Sequence, residues 1–352
     1  MKFKTKYTIT NKILENVSRT TAGREIIEHS RIIPKWELKL SKEARIHDAH
    51  SSTSIEGNRL SLEQVKELSE KQGIVGAAKD KQEVLNYLQA LDKIPHYAKA
   101  KKITSDILVD MQRIITYKTL SDAKDCGRFR TRQVFIGRRI FDGTGFKEVV
   151  EYMPPETRAV PWLVEEFFVW LNSNQGLKVN PVILAGISHY EVARIHPFID
   201  GNGRVARLLA SLILYKRDFD HRRFFALDDY YDSDRQGYYD ALKTAQNENN
   251  DITQWLEYFS TGVLYSVNVV KETIQKIGIL PQKENMERVE LTKRQVQIIE
   301  RIKEEGRITN SQMRKIFGIS RQAVLKEISK LIDVEIVMLV GRGKGAYYKI
   351  AD

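Results

Sequence analysis

Residues 196–207 read His-Pro-Phe-Ile-Asp-Gly-Asn-Gly-Arg-Val-Ala-Arg, and they lie between two apolar stretches, 182–195 and 205–214. Both stretches repeat apolar residues at three- and four-residue spacing, which predicts buried helices. Pro197 disfavours helical geometry at His196, so the first helix should end there. The second should begin at the Gly-Asn-Gly sequence. The polar residues are therefore predicted to lie on a turn between two buried helices.

The composition of this turn suits a phosphate chain. Gly201 and Gly203 permit positive φ, and the free N–H groups of the turn and of the following helix form an anion cradle. Arg204 and Arg207 are three residues apart, so both guanidiniums can reach phosphate oxygens over one helix start. The turn is therefore predicted to bind phosphate.

Two further side chains of the turn carry chemistry. Asp200 is a hard carboxylate beside the arginines, where it could hold a magnesium ion. His196 could accept a proton from an incoming hydroxyl. A calcium loop is excluded, because Val205 stands at the sixth position and Ser211 at the twelfth, where such a loop requires Gly and Glu. No Walker-type phosphate loop occurs in the sequence.

These residues resemble the motif of the Fic family, His-x-Phe-x-Asp/Glu-Gly-Asn-Gly-Arg-x-x-Arg, at every fixed position. The resemblance implies a magnesium- and ATP-dependent enzyme that transfers AMP to a Tyr, Thr or Ser hydroxyl of a protein target and releases pyrophosphate. The implied roles are general base for His196, magnesium ligand for Asp200, α-phosphate contact for Asn202, core anchor for Phe198 and outer-phosphate ligands for Arg204 and Arg207.

A second motif precedes the first. Ser52-x-x-x-Glu56-Gly57 is weak by itself, because a Glu near a helix end is usually exposed. It resembles the Ser/Thr-x-x-x-Glu-Gly/Asn inhibitory motif of Fic proteins with an N-terminal inhibitory helix. The resemblance implies that Glu56 pairs with Arg207 and keeps the γ-phosphate from seating productively. Such a pair would remove the donor fork that a phosphate needs.

A β-hairpin is predicted over residues 133–152, where β-branched and aromatic residues surround an Asp-Gly turn. The alternative is that these residues form only a connecting loop. The Fic resemblance implies a flap whose edge holds the target segment as an added strand. Five basic residues between 128 and 139 would favour an acidic target segment. The residues expected to contact the target are Val134, Phe135, Ile136 and Gly137.

Residues 236–246 resemble a later Fic helix whose tyrosines flank the adenine. Tyr238, Tyr239 and Gln246 would then contact the base, although the family often carries Asn at the position of Gln246. Two tyrosines on an amphipathic helix are more often part of a core.

The sequence from Leu291 onward predicts three helices and a hairpin, and it resembles a winged helix. Such domains bind DNA or other proteins, so DNA stays an alternative partner. The residues expected to face DNA are Arg321, Gln322 and Lys326 on the third helix and Arg342 and Lys344 on the wing.

Composition places the chain among ordinary globular proteins, with 352 residues, 42% apolar residues and a net charge of +11. The positive charge favours anionic partners such as ATP and nucleic acid. The one cysteine, Cys126, excludes an intramolecular disulfide and fits a reducing cytoplasm. The sequence shows neither a signal peptide nor an apolar run that could cross a membrane.

The predicted fold class is mainly α: an all-helical Fic core with a β-hairpin flap, plus a small C-terminal winged-helix (α+β) domain. The predicted regions are 1–110 (N-terminal helices with the inhibitory motif at 52–57), 111–277 (catalytic core), 278–290 (linker) and 291–352 (winged helix).

The predicted function is an autoinhibited protein adenylyltransferase, expected in the cytoplasm as a homodimer, and the chain itself is one candidate target beside other proteins. Two alternatives stay open. One is an ATP-sensing, DNA-binding transcriptional regulator. The other is a Fic enzyme that removes AMP or transfers another nucleotide.

Overall fold

The structure is a computed structural model that describes residues 3–30, 32, 34–141, 145–220, 222–247, 250–279, 291–333, 336–341 and 343–351. The chain divides into two compact units. The first comprises Met1–Ser30 and Leu40–Thr273, and the second comprises Arg31–Lys39 and Ile274–Asp352.

The first unit is built from helices and one hairpin. Two of its helices, the second and the last, continue into the second unit. Its helices are α1 (Asn11–His29), α2 (Pro34–Ile55), α3 (Leu62–Ser69), α4 (Ala78–Ala98), α5 (Ser105–Ile115), α6 (Val160–Leu171), α7 (Asn174–Lys178), α8 (Pro181–Ile195), α9 (Asn202–Lys216), α10 (Asp228–Ser233), α11 (Arg235–Asn247) and α12 (Thr253–Ile279).

Helices α8 and α9 form the centre of this unit, as their apolar periodicity predicts. Every residue from Val182 to Val192 is buried. Helix α9 packs against α8, α4 and α5. Gly186 allows α12 to approach α8, since a Cβ there would lie 2.8 Å from a methyl of Leu256. Burial on all sides fixes the two helices, and the turn that joins them is held with them.

The predicted helix ends are confirmed on both sides of this turn. Helix α8 stops at Ile195, and His196 takes left-handed geometry with φ of +51° just before Pro197. Helix α9 begins at Asn202. Helix α2 ends at Ile55, where Gly57 has φ of +93°.

A hairpin of two antiparallel strands, β1 (Ile136–Phe141) and β2 (Phe146–Tyr152), occupies the predicted flap region. The strand starts three residues later than residue 133. Gln133 instead donates to the Pro154 carbonyl at 3.0 Å and closes the base of the hairpin with its side chain. Val134 and Phe135 therefore lie before the ladder, whereas Ile136 and Gly137 lie in it. The turn residues 142–144 lie outside the described residues.

From residue 291 onward, the described residues of the second unit form three helices followed by a hairpin. Ile302, Met313, Ile328, Leu331 and Val337 are members of its buried core. The last strand also bridges to Ile308 at Tyr348. Arg342, predicted to lie on a wing, is outside the described residues, as is the Lys344 side chain. The elements are α13 (Lys293–Glu305), α14 (Asn310–Phe317), α15 (Arg321–Asp333), β3 (Val337–Val340) and β4 (Tyr347–Ile350).

Two predicted boundaries fall inside helices. The boundary at 110/111 lies within α5, and the first two residues of the predicted linker, 278 and 279, belong to α12. Residues 280–290 lie outside the described part of the chain. Among the residues that are described, no helix has the length and apolar character needed to span a membrane.

Candidate active site

The turn between α8 and α9 is braced from within. The backbone N–H of Phe198 donates to Asn202 Oδ1, and Asn202 Nδ2 donates back to the Phe198 carbonyl, both at 2.9 Å. Both residues are buried. The amide of Asn202 is therefore used on the turn itself. In this structure Asn202 fixes the shape of the turn, whereas the family resemblance implied a phosphate contact.

His196 presents one ring nitrogen as a base. Its Nδ1 lies 3.3 Å from the Ala193 carbonyl, which can only accept, so Nδ1 carries the proton and Nε2 keeps its lone pair. Burial lowers the pKa of His196 to about 4, against the opposing influence of the Ala193 hydrogen bond and of Glu56 and Asp200. The imidazole is therefore neutral at physiological pH and able to accept a proton.

A buried arginine outside both sequence motifs holds this turn from the flap side. Arg130 donates through Nε to the His196 carbonyl at 2.9 Å and through its backbone N–H to the Pro197 carbonyl at 2.8 Å. Its terminal nitrogens donate to Thr157 Oγ1 and to the Pro155 carbonyl, beyond the second flap strand. Arg130 thus ties the histidine to the base of the flap.

Gln112, on α5, holds the other end of the turn. Its Nε2 donates to the Asp200 carbonyl at 3.3 Å, and its Oε1 accepts from the Gly127 N–H at 2.6 Å. The side chain is wholly buried. The backbone of Asp200 is therefore fixed by a residue nearly ninety positions away in the sequence, which no local motif indicates.

The start of α9 forms an anion-binding surface. Gly201 has φ of +85°, and Asp200 Oδ1 accepts from the Gly201 N–H at 2.5 Å and from Arg204 Nη2 at 3.2 Å. Arg204 Nε and Nη1 are buried and have no hydrogen-bond partner among the described residues. Buried donors without partners are costly. Together with the positive end of α9, they suit a phosphate oxygen.

Arg207 lies one turn further along α9, and its guanidinium is completely buried. Its Nε donates to Ser52 Oγ at 2.8 Å, and its Nη2 donates to the Ser52 carbonyl at 2.9 Å and to Glu56 Oε1 at 2.8 Å. The structure therefore brings the end of α2 directly against the helix that carries the two arginines.

The Glu56 carboxylate also covers the first turn of α9. A Cβ built on Gly203 would lie 2.4 Å from Glu56 Oε1 and 3.2 Å from Arg207 Nη1. Glycine at this position thus leaves room for an anionic group above the helix start, and Glu56 fills that room.

A second carboxylate reaches Arg207 from behind. Asp228 Oδ2 lies 3.5 Å from Arg207 Nε and accepts from the Tyr87 hydroxyl at 3.1 Å. Burial raises the pKa of Asp228 to about 6, although Arg207 and hydrogen bonds from Ser52 and Tyr87 oppose the rise. This carboxylate is nearly inaccessible to solvent, whereas the Glu56 side chain is 35% exposed. Asp228 was not found from the sequence.

Hydrogen bonds from α10 and α11 fasten the end of α2. Asp229 accepts from Ser51 at 2.5 Å and lies 2.7 Å from His47 Nδ1. Arg235 donates to Ser54 at 2.6 Å. The inhibitory motif is therefore held in register beside Arg207 by side chains on both sides of Ser52.

The three residues expected at the adenine have unequal environments. Tyr238 is buried, and its hydroxyl faces Arg207 at 3.4 Å and His189 at 3.0 Å. Tyr239 is 46% exposed and donates to the Ile55 carbonyl at 3.3 Å. Gln246 is half-buried and is the next-to-last residue of α11. Only Tyr239 and Gln246 offer surface to a ligand.

The flap is anchored close to the histidine. Tyr152, the last residue of β2, donates through its hydroxyl to the Arg194 carbonyl at 3.0 Å. At this same end of the ladder, where Tyr152 pairs with Ile136, the register shifts between Ile136 and Gly137, so that Gly137 pairs with Val150. A Cβ on Gly137 would lie 2.2 Å from the Val149 carbonyl oxygen. Only glycine fits this position without displacing the opposite strand.

A magnesium site made of protein ligands alone is not found. Among the described residues, no group of three or more His, Cys, Asp or Glu side chains converges on one point. Magnesium commonly binds through one or two carboxylates together with substrate phosphates and water. Asp200, with a side chain 44% exposed, fits that kind of site.

Comparison with known proteins agrees with this geometry. The Fic/DOC family model matches residues 102–214, which include the turn. A protein adenylyltransferase Fic of Culex quinquefasciatus is 30% identical over 186 residues, 51% of this chain and 34% of the relative. The one from Drosophila melanogaster is 29% identical over 188 residues, with the same coverage. The match thus spans about a third of the length of these relatives.

Solved structures show the same fold. A Fic family protein from Desulfovibrio desulfuricans G20 has a TM-score of 0.64 at 23% identity, covering 99% of this chain and 98% of that one. A fragment of Fic-1 from C. elegans has a TM-score of 0.63 at 23% identity, covering 75% of this chain and 73% of that one. The fold is that of Fic proteins. Residues 102–214 of this chain match the model of the Fic/DOC family.

Proposed function

We propose that this chain is a protein adenylyltransferase that transfers AMP from ATP to a hydroxyl of a protein target and is held inactive by Glu56. The observation that carries the proposal is the meeting of three features at one turn. These are a neutral, half-buried histidine base, an anion cradle whose Arg204 donors have no partner among the described residues, and a carboxylate that covers the cradle.

The reaction is an in-line displacement at the α-phosphorus. His196 Nε2 accepts the proton of the target hydroxyl while the hydroxyl oxygen bonds to the α-phosphorus. The bond from the α-phosphorus to the bridging oxygen breaks, and pyrophosphate leaves. Arg204, Arg207 and the N-terminus of α9 stabilise the charge on the outer phosphates, so that catalysis is mainly positioning and charge neutralisation.

Magnesium would be held by Asp200 together with phosphate oxygens. The ion supplies charge neutralisation of the triphosphate when it is bound. The protein's own contribution is the fixed backbone of Asp200, which Gln112 holds from α5.

Inhibition follows from competition for Arg207. Glu56 uses the Nη2 donor that an outer phosphate would need, and its negative charge repels the phosphate. Helix α2 keeps the carboxylate in place through Ser52 and its neighbours. ATP then either fails to bind or binds with its phosphates out of line for attack.

The flap would present the target. Among the described residues, β1 pairs with β2 alone, and its other edge would accept an added strand. The anchor from Tyr152 to α8 and the Arg130 link keep this edge at a set distance from His196.

Gly137→Ala tests the flap. The added methyl collides with the Val149 carbonyl, so the strands must separate, and transfer to a protein target should fall on the order of a hundredfold. ATP affinity, measured by calorimetry, should not change. Gly145→Ala is the matched control, because a Cβ there meets nothing within 4 Å. Equal losses in both variants would contradict the role of Gly137.

The experiment that tests the proposed function is incubation of the protein with magnesium, α-labelled ATP and a lysate that supplies targets. A denaturation-resistant label on protein, either a target or the chain itself, is the expected result after Glu56→Gly. No label on any protein in that variant would contradict the proposal.

A second candidate function concerns the second unit. Arg321, Gln322 and Lys326 are exposed along one side of α15, as a DNA-reading helix requires. If this side binds duplex DNA, Arg321→Ala with Lys326→Ala should weaken binding by roughly tenfold or more and flatten its salt dependence. Lys178→Ala with Lys271→Ala, which removes two positive charges from the first unit, is the charge-matched control. Unchanged binding in an electrophoretic mobility assay would exclude α15 as the contact.

A further inference from the structure

We propose that Tyr238 and His189 form a buried pair that positions Arg207 for the outer phosphates of the nucleotide, so that Tyr238 is a positioning residue and not part of an adenine-binding wall. The proposal rests on the proposed function, because it assigns support to the phosphate-binding role of Arg207. It depends on the enclosure of Tyr238, the direction of its hydroxyl and the charge state of His189.

The Tyr238 ring has no free surface for a base to stack on. It is 2% exposed. Tyr231 stacks on it with ring centres 4.8 Å apart, and His189 lies nearly parallel to it with ring centres 5.8 Å apart. Trp255 meets it edge-on at 6.1 Å. An adenine could reach this ring only after the aromatic cluster had opened.

The Tyr238 hydroxyl instead contacts the guanidinium. Arg207 Nη1 donates to it at 3.4 Å, and the centre of the guanidinium lies 6.0 Å from the tyrosine ring. The other hydrogen bonds of this guanidinium go to Ser52 in α2 and to Glu56, which directly follows α2. Tyr238 therefore supports Arg207 from a different helix, α11, and this support remains when Glu56 is withdrawn.

His189 fixes the direction of the hydroxyl proton. If His189 donated from Nε2 to Tyr238, both the hydroxyl proton and the Nδ1 lone pair would lack partners. If Tyr238 donates to Nε2, only the Nδ1 proton lacks one, and Nδ1 is indeed buried with no partner in the described part of the chain. The second arrangement leaves fewer unsatisfied groups. It also turns the oxygen lone pairs of Tyr238 toward Arg207.

The arrangement requires a neutral imidazole. Burial, and secondarily the charge of Arg207, hold the pKa of His189 well below its usual range. His189 thus stays an acceptor throughout the neutral range. The unpaired Nδ1–H is a cost to stability that the packing of the cluster must offset. The acceptor role toward the Tyr238 hydroxyl accounts for a histidine at this buried position.

The test compares nucleotide affinities by calorimetry in a Glu56→Gly background, with ATP, AMP and GTP as probes. Tyr238→Phe removes the oxygen next to Arg207. We expect it to weaken ATP binding roughly tenfold, since a hydrogen bond to a charged group is lost. AMP affinity and the ratio of ATP to GTP affinity should not change, because AMP lacks the outer phosphates and the base pocket is intact.

Tyr231→Phe is the matched control. Tyr231 is buried in the same stack, and its hydroxyl has no hydrogen-bond partner among the described residues. Its loss should leave all three affinities unchanged. The proposal is overturned if Tyr238→Phe leaves ATP affinity unchanged, lowers AMP affinity as much as ATP affinity, or alters the preference for ATP over GTP.

His189→Phe tests the second member of the pair. It keeps an aromatic ring and removes the acceptor. The affinity for ATP should therefore again fall, while the affinity for AMP should not change. Unchanged ATP affinity with an unchanged unfolding temperature would remove His189 from the proposal. If the Glu56→Gly protein binds ATP but labels no protein, the transfer proposal fails while this one stands. If it does not bind ATP, both fail.

Discussion

Replacing Glu56 with glycine is expected to raise the rate of AMP transfer by on the order of ten- to a hundredfold. The change removes a carboxylate that accepts from Arg207 Nη2 at 2.8 Å and covers the first turn of α9. A hydrogen bond to a charged group of this kind is worth about 1.5–3 kcal/mol, and each 1.4 kcal/mol corresponds to about a factor of ten. Initial rates with α-labelled ATP measure the effect.

The substitution should not disturb the fold, because Glu56 follows the last residue of α2 and Gly57 already has a left-handed backbone. Glu56→Gln is the graded control. It keeps the length of the side chain and loses its charge, so it should give a rate between those of wild type and Glu56→Gly. A Glu56→Gly rate equal to wild type, with both proteins folded, would mean that Glu56 is not the inhibitor.

Replacing His196 with alanine in the Glu56→Gly protein should lower the transfer rate by about 10²–10⁴-fold and leave ATP affinity unchanged. The imidazole is held by Ala193 so that Nε2 is its free basic nitrogen, and no phosphate contact is assigned to it. His96→Ala, at an exposed position of α4, is the matched control and should have no effect. A loss of ATP affinity equal to the loss of rate would assign His196 to binding.

The charge state of His196 can be measured directly. Burial lowers its pKa to about 4, so the imidazole should stay unprotonated throughout the neutral range and become protonated only in acid. The base is therefore active above that value and lost below it. An NMR titration of the imidazole should place the midpoint near 4. A midpoint near 6.5 would contradict the enclosure of the ring.

The sequence predicts the centre of the fold because the local signals agree there. Apolar periodicity gives α8 and α9, and Pro197 explains why α8 ends at Ile195. The site residues of the turn follow from the same short stretch. The start of the flap was placed three residues early, because Gln133 uses its side chain to close the hairpin base, a contact with no periodic signature.

The supports of the site could not be predicted, because each reaches the turn from a distant part of the chain. Arg130 binds the His196 carbonyl across 66 positions, and Gln112 binds the Asp200 carbonyl across 88. Asp228 meets Arg207 from the start of α10. Each is a buried polar residue whose partners are set by packing, and no spacing rule connects them.

The two tyrosines of α11 also differ in a way that depends on packing and that the sequence alone does not predict. Tyr238 and Tyr239 are neighbours in the sequence, which predicts a shared role at the adenine. A helix turns about 100° per residue, so one ring enters the core beside Arg207 and the other stays half-exposed. The sequence indicated both the ligand-binding and the core alternatives, and only the packing of α11 separates them.

We expect the transferred group to be AMP, and paired labelling of ATP at the α- and γ-phosphates distinguishes this from transfer of phosphate. The Glu56→Gly protein is incubated with magnesium and ATP labelled at either the α- or the γ-phosphate, and the products are examined by gel and by intact mass. For AMP transfer we expect label from α-labelled ATP only, with a mass increase of one AMP, and the loss of both in Glu56→Gly/His196→Ala. Label from the γ-phosphate, or no covalent product while ATP is bound, would contradict it.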